Sequence, residues 1–234
     1  PPRLRATDLP VPMSAAGPPG LGSLVDHAGQ MSALSGPERA ENKGTIEVQT
    51  LTGDGGRRHI VYLPGMDDLN PLSIDDDVRD AGAAVNLEAG HSTAYGAGVL
   101  DALHEAGVEP GEPVLLVGHS QGGMQALQLA MRASPYDVTQ VVTLGSPMVP
   151  GDLPPDVGVL SLEHAGDPVT LADAGAEPLA PNHVTVTFDS GASPVVAANH
   201  GFAHYAAGAV AVEHSADPSV QQAVDGLDPF LAQP

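Results

Sequence analysis

Three features of the sequence predict an α/β domain with a mostly parallel central sheet of about six strands flanked by helices. The run Pro113 to Val117 (PVLLV) is short and continuously apolar, as expected of a strand buried on both faces. Similar runs alternate with longer stretches of helical periodicity, which is the βα alternation of a parallel sheet. Ahead of them, Thr45 to Leu51 (TIEVQTL), the turn Gly53-Asp54-Gly55-Gly56 and His59 to Leu63 (HIVYL) read as a β-hairpin. At 234 residues the chain suffices for one such domain and is cramped for two. The expected division is a Pro/Gly-rich N-terminal arm with a short helix over 1–36, then a single domain over 37–234.

Pro1 to Gly22 lacks periodicity and reads as an extended arm. Leu24 to Leu34 is a short helix, stopped by Gly36-Pro37. After the hairpin, Ser73 opens a helix with a capping-box spacing to Asp76. A further helix spans Thr93 to Ala106 and stops at Gly107. Pro113–Val117 is followed by a helix over Gln121–Ala133. Thr139–Leu144, Val157–Leu162 and Val184–Phe188 are the remaining buried strands. Helices over Ala203–His214 and Ser219–Val224 end the chain.

Composition excludes several classes of function. The net charge is −21, and Lys43 is the only lysine, so the clustered cations that a nucleic-acid backbone or an anionic membrane surface requires are missing. Without cysteine there are no disulfides, thiol nucleophiles or thiolate metal sites. No apolar run reaches the length of a membrane span, so stable membrane insertion is not expected. The first residues carry no basic-then-apolar leader pattern, which leaves the compartment open. With no Trp and only seven Phe and Tyr in all, the core must be built mainly from Val, Leu, Ile and Ala.

The chemistry is concentrated at Val114-Leu-Leu-Val-Gly118-His119-Ser120-Gln121-Gly122-Gly123, where a buried strand enters a Gly-x-Ser-x-Gly turn and leaves as a helix. Such a turn holds its serine in a strained backbone conformation, with the hydroxyl raised above the sheet. Gly118 and Gly122 are required because the strand and helix backbones approach too closely for a Cβ. The helix start offers the amide of Gln121 to a developing oxyanion.

This segment resembles the α/β-hydrolase superfamily, and the resemblance extends from Thr45 to Tyr205. His59 to Met66 (HIVYLPGM) looks like the strand and Pro-Gly oxyanion loop of that superfamily, with Met66 giving the second backbone amide. Glu163-His-Ala-Gly-Asp167-Pro-Val resembles the acid-bearing loop, and His200-Gly-Phe-Ala-His204-Tyr205 the histidine loop. Small actinobacterial serine hydrolases, distantly related to cutinases and lipases, show the most similar pattern. The resemblance implies a nucleophile Ser120, an acid Asp167 and a base His200, in the chain order that the topology demands. Glu163 is the reserve acid, and Asp173 lies too far into the following loop. His204 competes with His200, but His200 precedes the final helix in a loop, where catalytic groups of open α/β sheets lie. A tyrosine a few residues after the histidine, as in the superfamily, also fits His200 with Tyr205.

Other motifs have simpler explanations. Gly90-His91-Ser92 lacks the second glycine and a preceding strand, so Ser92 reads as a helix N-cap. Ser146 ends a strand and is structural. Asp67-Asp68 and Asp75-Asp76-Asp77 lack calcium-loop spacing and read as a solvated helix start. The histidines show no metal-ligand spacing, so no metal and no cofactor are expected.

Only Gly145 to Asp156 separates the strands on either side of the usual point of cap insertion, which leaves no room for a cap domain. Met66 to Ala89 is the one segment able to cover the site. The expected activity is that of a monomeric serine esterase or lipase acting on short-to-medium acyl esters, small or polymeric. A thioesterase, acyltransferase or amidase on the same triad, and a non-catalytic binding protein, are the alternatives.

Overall fold

The computed structural model describes residues 15–34, 44–66, 91–132, 134–172 and 180–232. Six strands form one sheet: β1 (Glu47–Gly53), β2 (Gly56–Leu63), β3 (Pro113–His119), β4 (Asp137–Leu144), β5 (Gly158–His164) and β6 (His183–Phe188). They lie side by side in chain order. β1 pairs antiparallel with β2 from Glu47–Tyr62 to Gly53–Gly56, so the expected hairpin is present. β2 to β6 are parallel throughout. The helices are α1 (Leu21–Leu34), α2 (Ala94–Glu105), α3 (Gln121–Ala130), α4 (Pro168–Ala172), α5 (Phe202–Glu213) and α6 (Pro218–Asp225).

The strand order determines which helix covers which face. Parallel strands added in one direction, with crossovers of one hand, place their connections on one side of the sheet. On that side α2 and α3, with Val149, Leu153 and Val157 of the β4–β5 connection, cover Val61, Val114, Leu116, Val141 and Val159. The opposite face must then be covered by the ends of the chain. Leu21, Leu24, Val25, Ala28 and Met31 of α1 recur at helical spacing and bury against Ile60, Tyr62, Leu115 and Val117, beside Tyr205, Ala209 and Val212 of α5. Each large side chain buried in this way contributes roughly 1.5–3 kcal/mol. The scarce aromatics belong to this interior, where Tyr62, Tyr95, Tyr205 and Phe230 are nearly or wholly buried.

Every strand and helix expected within the described residues is present, with shifted ends. α1 begins at Leu21 rather than Leu24, and β2 extends back to Gly56 because the hairpin pairs up to its turn. α3 stops at Ala130, short of Ala133. The N-cap of α2 is Thr93 and not Ser92: its hydroxyl accepts from Gly96 N at 3.0 Å, whereas Ser92 Oγ accepts from Arg132. Three short elements have too little periodicity to be seen in sequence, namely α4 and 3-10 turns over Val196–His200 and Asp228–Phe230. The expected helix at Ser73, the acidic runs from Asp67 to Asp77, the covering segment beyond Met66 and Asp173 lie outside the described residues. No helix among the described residues is long and apolar enough to cross a membrane.

A polar ladder crosses three of the parallel strands. Thr143 on β4 donates to Ser161 on β5 at 2.8 Å, and Ser161 Oγ is in turn hydrogen-bonded to His183 Nε2 on β6, also at 2.8 Å. Burial disfavours the charged ring and lowers the His183 pKa to about 4. The folded pKa lies below the ordinary value of 6.5, so the unfolded chain binds the proton first. His183 therefore contributes full stability above pH 6.5 and loses it progressively down to about pH 4. Urea unfolding of wild type and His183→Gln between pH 7 and 4 should show the wild type losing about 3 kcal/mol more than the variant. Parallel losses in both proteins would contradict this account.

Candidate active site

Ser120 stands between β3 and α3 at φ 53 and ψ −124, the only non-glycine with positive φ among the described residues. Sequence explains how the chain tolerates this. A Cβ on Gly118 would strike the backbone of Gly122, and one on Gly122 would strike the carbonyl oxygens of Leu63 and Pro64. The turn is thus packed against its own helix and against the end of β2. Ser120 N donates to Leu144 O at 2.9 Å, which ties the turn to the end of β4 as well. Gln121 is the first residue of α3, so its amide lies in the first turn of that helix.

Beyond β2, the segment Pro64-Gly65-Met66 lies alongside. Tyr95 of α2 donates its hydroxyl to Pro64 O at 2.9 Å and fixes the loop from beneath. A Cβ on Gly65 would come within 3.0 Å of Ser120 Cβ and 3.1 Å of His119 O, so a larger residue there would push its neighbours aside. Met66 follows directly and is half-buried.

On the other side, Asp167 follows β5 and is fully buried. Its Oδ1 accepts from Val169 N at 2.8 Å. Its Oδ2 accepts from two donors, His200 Nδ1 at 2.6 Å and the Tyr205 hydroxyl at 2.5 Å. Burial pushes the carboxyl pKa up, but these hydrogen bonds outweigh it and hold the group below the usual range, as the anion. The same contact, with burial as its larger companion, raises the Tyr205 hydroxyl and keeps it protonated. Because an anionic acceptor demands an Nδ1–H donor, the neutral His200 ring carries its lone pair on Nε2. The His200 side chain retains 21% exposure, whereas Asp167 behind it has none.

The sequence-derived residues thus fall into two sets of contacts. Asp167 and His200 are directly bonded, while Gly65 and Ser120 pack together at the turn. No hydrogen bond joins Ser120 to His200; the two are linked through His119, whose ring lies 4.4 Å from that of His200. Glu163 lies earlier on β5, opposite Thr187, and is not a partner of His200. His204 turns elsewhere: its Nδ1 bonds Ser190 Oγ at 2.8 Å, and its ring stacks on His164 at 4.4 Å. Ser146 is buried, packed beside Gly123, and donates to Leu144 O. No group of His, Asp and Glu among the described residues has the arrangement of a metal site.

Several supporting side chains are not legible from sequence. The Tyr205 bond to Asp167 and the Tyr95 bond to Pro64 depend on helices meeting loops far away in the chain. Asn199 is another: it accepts from Ser193 N at 2.6 Å and donates to Ser193 O, closing the turn that leads into His200. The stretch Gly191-Ala192-Ser193-Pro194 marks a turn but gives no partner.

Residues 45–234 match the model of the alpha/beta hydrolase family. The chain belongs to that family. No curated protein matches it. Among solved structures, it is similar to a protein described as a yden-like hydrolase from Pectobacterium atrosepticum, at 16% identity and a TM-score of 0.40, over 69% of this chain and 90% of that one. A structure of esterase PE8 matches at 18% identity and a TM-score of 0.32, over 58% of each chain. The nonglycosylated LIP2 lipase of Yarrowia lipolytica matches at 13% identity and a TM-score of 0.35, over 71% of this chain and 79% of that one.

Removing the Tyr205 hydroxyl leaves the buried Asp167 anion with one donor fewer. Tyr205→Phe should therefore lower stability at pH 7 by about 1.5–3 kcal/mol, measured by urea unfolding. A carboxylate whose pKa is depressed on folding stabilises above its unfolded value and loses that contribution as pH falls through the folded one. The gap between wild type and variant should accordingly narrow under acid. A gap independent of pH would assign the hydroxyl a packing role only.

Proposed function

We propose that this alpha/beta hydrolase is a lidless, cutinase-like serine esterase that cleaves carboxylic esters through an acyl-enzyme on Ser120. The observation that carries the reading is the 2.6 Å contact between His200 Nδ1 and Asp167 Oδ2, beside a serine held at φ 53. In this reading Ser120 Oγ attacks the ester carbonyl while His200 Nε2 accepts its proton. The tetrahedral oxyanion forms against the backbone amides of Gln121 and Met66. His200 then returns the proton to the departing alcohol, and the acyl group remains on Ser120. Water, deprotonated by the same Nε2, attacks the acyl carbonyl, and the carboxylic acid leaves as Ser120 recovers its proton. Asp167 stays ionised, orients the ring and stabilises the imidazolium.

The free enzyme lacks the Ser120–His200 hydrogen bond, which is compatible with catalytic contacts that tighten only around substrate. The short β4–β5 connection, residues 145–157, supports an open site and substrates with short-to-medium acyl chains. A monomer acting on small or polymeric esters is the form of the proposal.

A fluorophosphonate probe should label wild type and fail to label Ser120→Ala, and p-nitrophenyl acetate hydrolysis should fall by ~10³-fold or more in a variant that stays folded. Labelling that persists in Ser120→Ala would place the nucleophile elsewhere. A matched pair separates the histidines. His200→Ala should reduce kcat by several orders of magnitude, and His204→Ala should retain most activity, since its ring is bonded to Ser190. The reverse pattern would move the base to His204 and leave Ser120 in place. In a series of p-nitrophenyl esters, kcat/KM should peak at short-to-medium acyl chains; a maximum at long chains would contradict the open site.

A further inference from the structure

We infer that His119 is a positioning residue for the base: its Nε2–H anchors the His200 backbone and, with the Asp167 bond to the ring, sets the direction of His200 Nε2. The inference rests on the proposed roles of Ser120, Asp167 and His200, and assigns a function to a residue that those roles leave unused.

His119 is the last residue of β3, immediately before Ser120, and its side chain is buried. Nε2 lies 2.9 Å from the carbonyl oxygen of His200, 81 residues away in the chain. A carbonyl only accepts, so Nε2 carries the hydrogen and the ring is the neutral Nε2–H tautomer. The same ring packs against His200 at 4.4 Å and 35°, and against Phe202 at 4.4 Å and 38°. A Cβ on Gly65 would approach His119 Nδ1 to 3.2 Å, so the Pro64–Met66 backbone packs against it too. One side chain therefore touches the serine turn, the Pro-Gly loop and the histidine loop.

The geometric consequence is specific. A histidine ring has two torsions between its backbone and its nitrogens. Asp167 restrains the ring end and His119 restrains the backbone end, so the Nε2 lone pair is left little freedom. With the backbone anchor lost, the Asp167 bond can persist while the ring tilts, and misplacements near 1 Å can cost about 10²-fold in rate. The ring must also stay uncharged beside an imidazolium that forms in each cycle. Burial, then the neighbouring His200 charge, lowers its pKa to about 3. Asp167 and Tyr205 are the other titratable groups close to it.

Two substitutions separate the donor from the ring. His119→Phe keeps an aromatic ring and removes the N–H; His119→Gln keeps an N–H donor at similar reach and removes the ring. With p-nitrophenyl acetate, and rates normalised to sites titrated by fluorophosphonate, kcat should fall about 10- to 100-fold in His119→Phe. KM should be nearly unchanged, and His119→Gln should restore most of the rate. Wild-type kcat in folded His119→Phe, or equal losses in both variants, would overturn the assignment. Nitrogen-15 NMR of the wild type gives a test that needs no variant: His119 should remain the neutral Nε2–H tautomer from pH 5 to 9, and an Nδ1–H tautomer would refute the anchor. If wild type neither hydrolyses the ester nor takes the probe, the proposed function fails, while the tautomer still reports on the anchor itself.

Discussion

At the carboxyl end of β3 three stretches of backbone come into contact with no side chain between them. Gly118 meets Gly122 across the turn, and Gly122 meets the carbonyls that end β2. This close approach forces Ser120 into a backbone conformation that costs on the order of 1–3 kcal/mol. The surrounding sheet over-determines it: β3 is buried on both faces and hydrogen-bonded on both edges. A looser turn would relax the serine and separate it from the Pro64–Met66 segment at once. Gly145 continues the pattern at the end of β4, where a Cβ would run into Tyr205 and Asp167. This edge of the sheet is therefore assembled from backbone contacts, and Ser120 and Asp167 follow the strands that end there.

Histidine carries much of the polar work in this chain, which has eight Lys and Arg against 29 Asp and Glu. His59 is fully buried and bonds Glu112 at 2.9 Å, while His27 on α1 reaches the buried Glu47 at 2.8 Å. His183 and His119 are held neutral by burial, the first bonded to the Ser161 hydroxyl and the second donating to the His200 carbonyl. An imidazole can fill either role according to its tautomer, and it adds no fixed cation to the interior.

The strand order links these local features to the whole. With β2 to β6 parallel and in sequence, the ends of β2, β3, β4 and β5 open on one edge, where the loops bearing Met66, Ser120, Gly145 and Asp167 meet. The face left uncovered by the crossovers is closed by α1, α5 and α6. α5 consequently does two things. Its apolar side completes the core, and its first turns carry Tyr205 to the acid and Phe202 to His119.

The α/β class, the six strands, the hairpin and the Gly-x-Ser-x-Gly turn were legible in the sequence because each depends on short-range patterns. Two-sided apolar runs, a Gly-rich turn and two obligatory glycines are consequences of local geometry and close packing that leave residue-type signatures. Asp167 and His200 were legible only as residues following strands at the expected edge, with rivals at Glu163 and His204. The fold brings Asp167 Oδ2 within 2.6 Å of His200 Nδ1, a pairing that no local pattern of residues records. The contacts of His119, Asn199 and Tyr95 left no pattern at all, and Tyr205 was legible only through the resemblance, as a tyrosine that follows His200. The burial of α1 was equally hidden, because Leu21 to Met31 would read the same on any apolar partner. A side chain's type limits what it can bond, but the bond it forms depends on distances set by residues far away in the chain.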